Sequence, residues 1–84
     1  MQTPSETDDQ TLARVNALDI GCGAGILSES LGRLGVKSVK GIDPTPKCIE
    51  LANEHLDLML KVDESLRNVS YEQTTMEDLL ERED

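Results

Sequence analysis

The apolar residues of this chain follow two different spacings, and the change from one to the other predicts the order of its secondary structure. Short, dense apolar runs indicate strands, whereas apolar residues three and four positions apart indicate helices. Each short run is followed by a segment with the helical spacing. The pattern predicts three β-α units, with strands at 15–20, 38–43 and 68–73 and helices at 25–34, from 47 to about 56 or beyond, and from about 74 onward.

The first predicted strand has apolar side chains on both of its sides, at Val15, Ala17, Leu18 and Ile20. A strand of this kind suits a parallel sheet that helices cover on both faces. In the helix that follows, Gly35 stands where a left-handed residue ends a helix. Gly32 lies inside the same helix, and we expect it to let the helix lie close to the sheet.

Capping residues predict where the two later helices begin. Thr45 followed by Pro46 is typical of an N-cap residue with proline at the first helical position. Thr74 with Glu77 three residues later fits a capping box, in which two side chains satisfy free N–H groups reciprocally. We therefore expect one helix to begin at Pro46 and the last helix to begin just after Thr74.

The first strand runs into a turn with glycines at alternate positions. Gly21, Gly23 and Gly25 let the backbone turn tightly and approach a ligand where a Cβ atom would clash. The helix that follows presents unpaired N–H groups at its first turn. A dinucleotide-binding turn has the different spacing G-x-G-x-x-G. A plain glycine-rich connection between strand and helix is the structural alternative.

Asp19 is separated from the first glycine by one residue. The acid-x-Gly-x-Gly-x-Gly form resembles motif I of the class I methyltransferases that use S-adenosyl-L-methionine. That ligand has no pyrophosphate, but its methionine end carries an ammonium group, which a carboxylate such as Asp19 can neutralise directly or through water. We therefore predict S-adenosyl-L-methionine as the cofactor, with Asp19, Gly21, Gly23 and Gly25 as cofactor-binding residues.

Asp43 ends the second predicted strand, 22 residues after Gly21. At the carboxyl end of a second parallel strand, a carboxylate can accept hydrogen bonds from both ribose hydroxyls of a nucleoside ligand. We therefore predict Asp43 as a ribose-binding residue, the alternative being an acid that only stabilises a turn or cap.

The loop after the third strand commonly flanks the adenine in nucleotide-binding folds. Thr75, Met76 and Glu77 follow that strand, and Met76 offers a soft, polarisable cover for an aromatic ring. We predict Met76 and Glu77 as cofactor-binding residues. An ordinary helix start is the alternative.

Composition and charge narrow the classes of partner. The net charge of −9 repels phosphate backbones and anionic lipid headgroups, so nucleic-acid and membrane-surface binding are not expected. We expect residues 1–14 to be an acidic, disordered tail, with no transit peptide visible, and we see no transmembrane segment. Cys22, Cys48 and His55 stand in no metal-ligand pattern, so we predict no metal site, and no residue is singled out as catalytic.

With these motifs placed, residues 15–80 resemble the ubiquinone-biosynthesis O-methyltransferases, a family of class I methyltransferases. The resemblance lies in motif I with its flanking residues, at 18–29. It also lies in the segments Leu-Gly-Arg-Leu-Gly at 31–35 and Gly-Ile-Asp-Pro at 41–44. Ile-Glu-Leu-Ala at 49–52 and Thr-Met-Glu-Asp-Leu at 75–79 reinforce it.

The resemblance implies methyl transfer from S-adenosyl-L-methionine to a hydroxyl of a polyprenylated phenol or catechol, a precursor of ubiquinone. By motif match, Gly21 would contact the methionine portion and Asp43 the ribose. The resemblance also implies a mitochondrial location at the matrix face of the inner membrane, within a ubiquinone-biosynthesis complex.

Members of this family continue into a fourth strand and further helices, so the resemblance implies that 15–84 forms the N-terminal half of the domain. The expected fold class is α/β, a partial Rossmann-like class I methyltransferase fold whose first strand lies at an open edge. We expect weak or no cofactor binding, and no methyl transfer, by this portion alone. Two alternatives are a non-enzymatic half-fold that binds a partner and a fragment that binds NAD or FAD.

Overall fold

The computed structural model describes residues 11–82, which form a parallel sheet and its connecting helices. Its strands are β1 (Asn16–Ile20), β2 (Ser38–Asp43) and β3 (Val69–Gln73). Its helices are α1 (Ile26–Arg33), α2 (Pro46–Leu60) and α3 (Met76–Arg82), with a short 3₁₀ helix at Glu64–Asn68. The predicted α/β class and the predicted order of three β-α units are confirmed.

The three strands are parallel and lie in the order β1-β2-β3. Ile20 pairs with Ile42 across the first ladder, and Asp43 pairs with Gln73 across the second. This register brings the carboxyl ends of all three strands to the same edge of the sheet. The glycine turn, Asp43 and the segment before α3 therefore lie side by side.

Helices α1 and α2 pack with the 3₁₀ helix against one face of the sheet. Helix α2 buries three residues at helical spacing, Ile49, Ala52 and Leu56, as expected for an amphipathic helix on a sheet. A cluster of buried apolar side chains forms the centre of this layer and consists of Val36, Val39, Leu56, Leu66 and Val69.

Within residues 11–82, helices cover one face of β1, and the second covered face predicted from its apolar side chains is not found there. Leu18 is 42% exposed and Ile20 is 59% exposed, whereas Asp19 between them is buried. Successive side chains of a strand point to opposite faces, so Asp19 faces α1 while Leu18 and Ile20 face the opposite side. Within residues 11–82, β1 pairs with β2 alone and is an edge strand of the sheet.

The helix starts are close to those predicted, but their caps differ. Thr45 is the N-cap residue of α2 and Pro46 follows it, yet the Thr45 side chain makes no capping hydrogen bond. The capping box predicted at Thr74 is wrong, because the hydroxyl of Thr75 accepts the hydrogen bond from the N–H of Asp78, at 3.1 Å. Helix α3 thus begins one residue later than the capping-box pattern indicates.

Both glycines predicted to shape α1 do so. Gly35 has φ +94°, the left-handed conformation expected after a helix. A Cβ atom on Gly32 would lie 2.6 Å from Cγ2 of Val69, so this glycine permits close packing against β3.

Residues 11–14 precede the sheet as a helical turn, in which the N–H of Arg14 donates to the carbonyl of Thr11. Leu12 in this turn packs against the core. The acidic tail predicted at 1–14 overlaps the turn at 11–14, and its remaining part lies outside the described residues. No helix within 11–82 is long and apolar enough to cross a membrane.

Candidate cofactor-binding site

The glycine turn wraps over the carboxyl end of β2. Gly21, Gly23 and Gly25 have φ values of +73°, +56° and +91°, which only glycine adopts without strain. The N–H groups of Gly21 and Cys22 both donate to the carbonyl of Ile42, at 2.8 and 2.9 Å. These two bonds fix the start of the turn beside the last residues of β2.

Asp43 connects the glycine turn to the start of α2. One carboxylate oxygen, Oδ2, accepts a hydrogen bond from the N–H of Gly23 at 3.1 Å, and the other accepts one from the N–H of Thr45 at 2.8 Å. The bonds to Thr45, followed by the bond to Gly23, hold the pKa of Asp43 below its ordinary value of 3.8. A carboxylate oxygen can accept more than one hydrogen bond, so Asp43 can accept further hydrogen bonds from a ligand.

An open cavity of about 250 Å³ lies at this edge of the sheet. Its walls come from the ends of all three strands and from the start of α3, namely Ile20, Gly21, Ile42, Pro44, Thr74, Thr75, Met76 and Glu77. Three of the predicted site residues, Gly21, Met76 and Glu77, therefore line one cavity. Asp43 lies between two of the lining residues, whereas Asp19, Gly23 and Gly25 are not part of the wall.

Asp19 lies on the helix side of β1, beneath the glycine turn. Its Oδ2 atom accepts a hydrogen bond of 2.7 Å from the hydroxyl of Ser28 in α1. Both side chains are buried. This bond ties the end of β1 to the first turn of α1, so Asp19 supports the glycine turn from below.

Tyr71 was not among the predicted site residues, although it contacts the glycine turn. Its hydroxyl donates a hydrogen bond to the carbonyl oxygen of Gly25 at 3.2 Å. A Cβ atom on Gly25 would collide with the Tyr71 hydroxyl, whereas nothing lies within 4 Å of a Cβ atom built on Gly21 or Gly23. Two signals in the sequence pointed to Tyr71: it is the chain's one aromatic residue, and the strand beside it contains Gly41.

Glu29, a buried acid in α1, was also not singled out by the sequence analysis. Glu29 is 3% exposed, and its Oε2 atom lies 2.6 Å from Nδ1 of His55 in α2. Its other oxygen lies 3.4 Å from a guanidinium nitrogen of Arg33. The His55 side chain is about half exposed. The pairing joins α1 to α2, and spacing along the chain carried no signal for it.

The cysteines are free, and each is half-buried. Burial, together with the nearby carboxylates of Asp19 and Asp43, raises the pKa of Cys22 to about 11. The Cys22 thiol therefore stays protonated at neutral pH. Within 11–82, no three His, Cys, Asp or Glu side chains lie close enough together to hold a metal ion.

Comparison with known proteins agrees with this geometry. Residues 17–84 match the model of a family described as a methyltransferase domain. The chain is 47% identical over 81 residues to the mitochondrial ubiquinone biosynthesis O-methyltransferase of Saccharomyces cerevisiae, covering 94% of this chain and 25% of that protein. It is 40% identical over 68 residues to the mitochondrial enzyme of the same name from Dictyostelium discoideum, covering 79% of this chain and 21% of that protein.

Solved structures show the same arrangement of strands and helices. A Listeria monocytogenes protein provisionally described as an S-adenosylmethionine dependent methyltransferase has a TM-score of 0.59 and 32% identity, over 75% of this chain and 26% of that one. A ribosomal protein L11 methylase from Lactobacillus delbrueckii has a TM-score of 0.60 and 26% identity, over 73% of this chain and 29% of that one.

The parallel sheet, the glycine turn and the acid that ends β2 define part of a class I methyltransferase fold. The chain belongs to the methyltransferase domain family, and the curated relatives named above are ubiquinone biosynthesis O-methyltransferases. It spans about a quarter of the length of these relatives.

Proposed function

We propose that this chain binds S-adenosyl-L-methionine as the cofactor-binding portion of an O-methyltransferase. The observation that carries the proposal is the position of Asp43. Its carboxylate lies at the end of β2 and is held by the N–H groups of Gly23 and Thr45. In the chain, Asp43 stands between Ile42 and Pro44, which both line the cavity at the sheet edge. A carboxylate can accept more than these two backbone hydrogen bonds, so it can also accept from the vicinal hydroxyls of a ribose.

The other residues at this edge fit the rest of the cofactor. The open space beside Gly21 and Gly23 leaves room for the methionine portion to approach the backbone closely. Met76 and Glu77 also line the cavity and would flank the adenine. Asp19 contributes negative charge beneath the turn, which favours the ammonium group of the methionine portion.

The proposed substrate is a hydroxyl of a polyprenylated phenol or catechol in ubiquinone biosynthesis. Support comes from the names of the similar proteins and from the short sequence segments that resemble their family. When bound, S-adenosyl-L-methionine supplies a methyl group activated by its sulfonium. For the protein to which this sequence belongs, we propose a mitochondrial location, at the matrix face of the inner membrane in a biosynthetic complex.

Residues 11–82 alone are proposed to bind the cofactor weakly and not to transfer its methyl group. Transfer requires an acceptor oxygen held in line with the methyl group and commonly a base to take its proton. Asp43 has a lowered pKa and is therefore a weak base. Glu77 is the titratable side chain in the cavity wall, and we assign it to the adenine end, away from the methyl group.

The proposal is tested by calorimetric titration of the chain with S-adenosylhomocysteine, the demethylated cofactor. We expect saturable binding that Asp43→Ala weakens strongly. Asp63→Ala is the matched control, because Asp63 also accepts a backbone N–H, from Ser65, and also has a lowered pKa, yet lies at the start of the 3₁₀ helix. Circular dichroism establishes that each variant is folded.

Other outcomes of the same titration would contradict the proposal. Saturable binding of NAD or FAD instead of S-adenosylhomocysteine would indicate a dinucleotide-binding fragment. A folded chain that binds none of these ligands would favour a partner-binding half-fold, which the exposed apolar face of β1, with Leu18 and Ile20, would suit. Equal affinity in wild type and Asp43→Ala would refute the ribose assignment.

A further inference from the structure

We infer that Tyr71 is a positioning residue for the glycine turn: its hydroxyl, bonded to the carbonyl of Gly25, holds the turn in the conformation that receives the cofactor. This inference rests on the cofactor site proposed above. Tyr71 itself is not in the cavity wall, so its effect on binding would pass through the backbone of the turn.

The sheet provides a path for the Tyr71 ring from β3 to the turn. Tyr71 pairs with Gly41 of β2, and a Cβ atom on Gly41 would lie 2.7 Å from Cδ1 of the ring. Glycine within a strand commonly marks a place where another group approaches the backbone closely. Gly41 therefore clears the space over which the ring crosses β2 towards Gly25.

The carbonyl that receives the hydroxyl is a junction of the turn. Gly25 is the N-cap residue of α1, and its carbonyl also accepts the first helical hydrogen bond, from the N–H of Glu29, at 3.0 Å. Its own N–H closes the turn by donating to the carbonyl of Cys22 at 3.0 Å. Fixing this one peptide therefore fixes the end of the turn and the start of α1 together.

Two properties suit Tyr71 to this role. Burial, followed by the neighbouring carboxylate of Glu29, raises the pKa of Tyr71 to about 12, so its hydroxyl stays a hydrogen-bond donor throughout the physiological range. The hydroxyl and Cζ of Tyr71 also lie where a Cβ atom of Gly25 would be, so the ring fills the space beside this glycine. The turn and the ring constrain each other.

The glycine spacing alone would assign Gly25 to ligand contact. The structure shows a different need for glycine at position 25, because Tyr71 fills the space beside it. The space beside Gly21 and Gly23 is open. The turn then has two sides, one open to a ligand and one resting on the ring.

The test is Tyr71→Phe, which keeps the ring and removes only the hydroxyl. Loss of one neutral hydrogen bond should weaken S-adenosylhomocysteine binding by about three- to tenfold in calorimetry. Ser65→Ala is the control, since it also deletes one hydroxyl, whose bond to Asp63 lies at the 3₁₀ helix. We expect Ser65→Ala to change the melting temperature as much as Tyr71→Phe does, with no change in affinity.

A second measurement does not depend on the ligand. Amide hydrogen exchange of the four bonded N–H groups in the turn, at Gly21, Cys22, Gly23 and Gly25, should be faster in Tyr71→Phe and unchanged in Ser65→Ala. If wild type fails to bind S-adenosylhomocysteine while the turn exchanges faster in Tyr71→Phe, the proposed function fails and the positioning of the turn by Tyr71 stands. Unchanged exchange in Tyr71→Phe, or wild-type affinity in that variant, would overturn the inference.

Discussion

The carboxylate of Asp43 accepts a hydrogen bond from the backbone N–H of Gly23, with 3.1 Å between nitrogen and Oδ2. The two residues are 20 positions apart and belong to successive β-α units. Their contact makes the acid at the end of β2 part of the glycine turn. An acid predicted to bind ribose thus also holds the loop that would receive the neighbouring part of the same ligand.

The pH dependence of stability should report this contact. Because the folded pKa of Asp43 lies below 3.8, its stabilising contribution is present above pH 3.8 and is lost as the pH falls through the folded value. Asp63 and Glu72 have lowered pKa values as well, so the wild-type loss has several sources. Melting temperatures of wild type and Asp43→Asn, measured from about pH 5 to about pH 2, should converge at the acid end. A constant gap would contradict this assignment.

Substitution of the third glycine should be more costly than its backbone angle alone explains. Gly25 and Gly35 have nearly the same φ, +91° and +94°, but only Gly25 lies against Tyr71. We expect Gly35→Ala to cost about 1–2 kcal/mol, from the left-handed conformation alone. Gly25→Ala should cost clearly more, because the ring must also move. Urea unfolding measures the loss of free energy of unfolding in both variants. Equal losses would show that the Tyr71 ring moves aside without a cost in stability.

The connection between α1 and α2 through Glu29 should contribute to stability. Glu29 is buried and bonded to His55 and Arg33. Glu29→Gln weakens charge-assisted bonds, so we expect a loss of about 1–3 kcal/mol in the free energy of unfolding. Glu50→Gln is the control, because Glu50 pairs with Lys47 on an exposed helix surface, where substitutions stay within about 0.5 kcal/mol. Equal losses for the two variants in urea unfolding would show that the bonds of Glu29 to His55 and Arg33 do not stabilise the fold.

The sequence predicted which of the candidate residues lie together at the sheet edge, because that placement follows from topology. In parallel β-α units the carboxyl ends of the strands meet at one edge, so the glycine turn and Asp43 had to lie close together, and Met76 had to follow the third strand to the same place. The left-handed residue after α1 was also predictable, because the positive φ at position 35 is a local backbone conformation that glycine adopts readily.

The remaining parts depend on how elements cross in space. The direction of the Tyr71 ring and the approach of His55 to Glu29 are set by packing between elements, which no spacing along the chain encodes. The capping residue of α3 depends on a single-residue shift between Thr74 and Thr75. The apolar composition of β1 predicted two covered faces, but α1 and α2 both pack on the face opposite to Leu18.

The exposed face of β1 should make the chain associate at high concentration, because an edge strand with apolar side chains offers both hydrogen bonds and apolar surface. Leu18→Glu should reduce association, and its acid would lie opposite Lys40 in the ladder. Leu51→Glu is the control, since Leu51 is equally exposed, at 42%, but lies on α2. Sedimentation equilibrium measures both. Equal effects, or a wild type that stays monomeric, would rule out β1 as the interface.

The most direct test of the central claim combines the ligand and the protein in one cycle. S-adenosylhomocysteine and its analogue without the two ribose hydroxyls are titrated into wild type and Asp43→Ala. Because each hydrogen bond to a charged group contributes about ten- to hundredfold in affinity, losing both hydroxyls should weaken wild-type binding by about a hundredfold or more. In Asp43→Ala the two ligands should bind with equal affinity. If the hydroxyls contribute equally in both proteins, Asp43 does not bind the ribose.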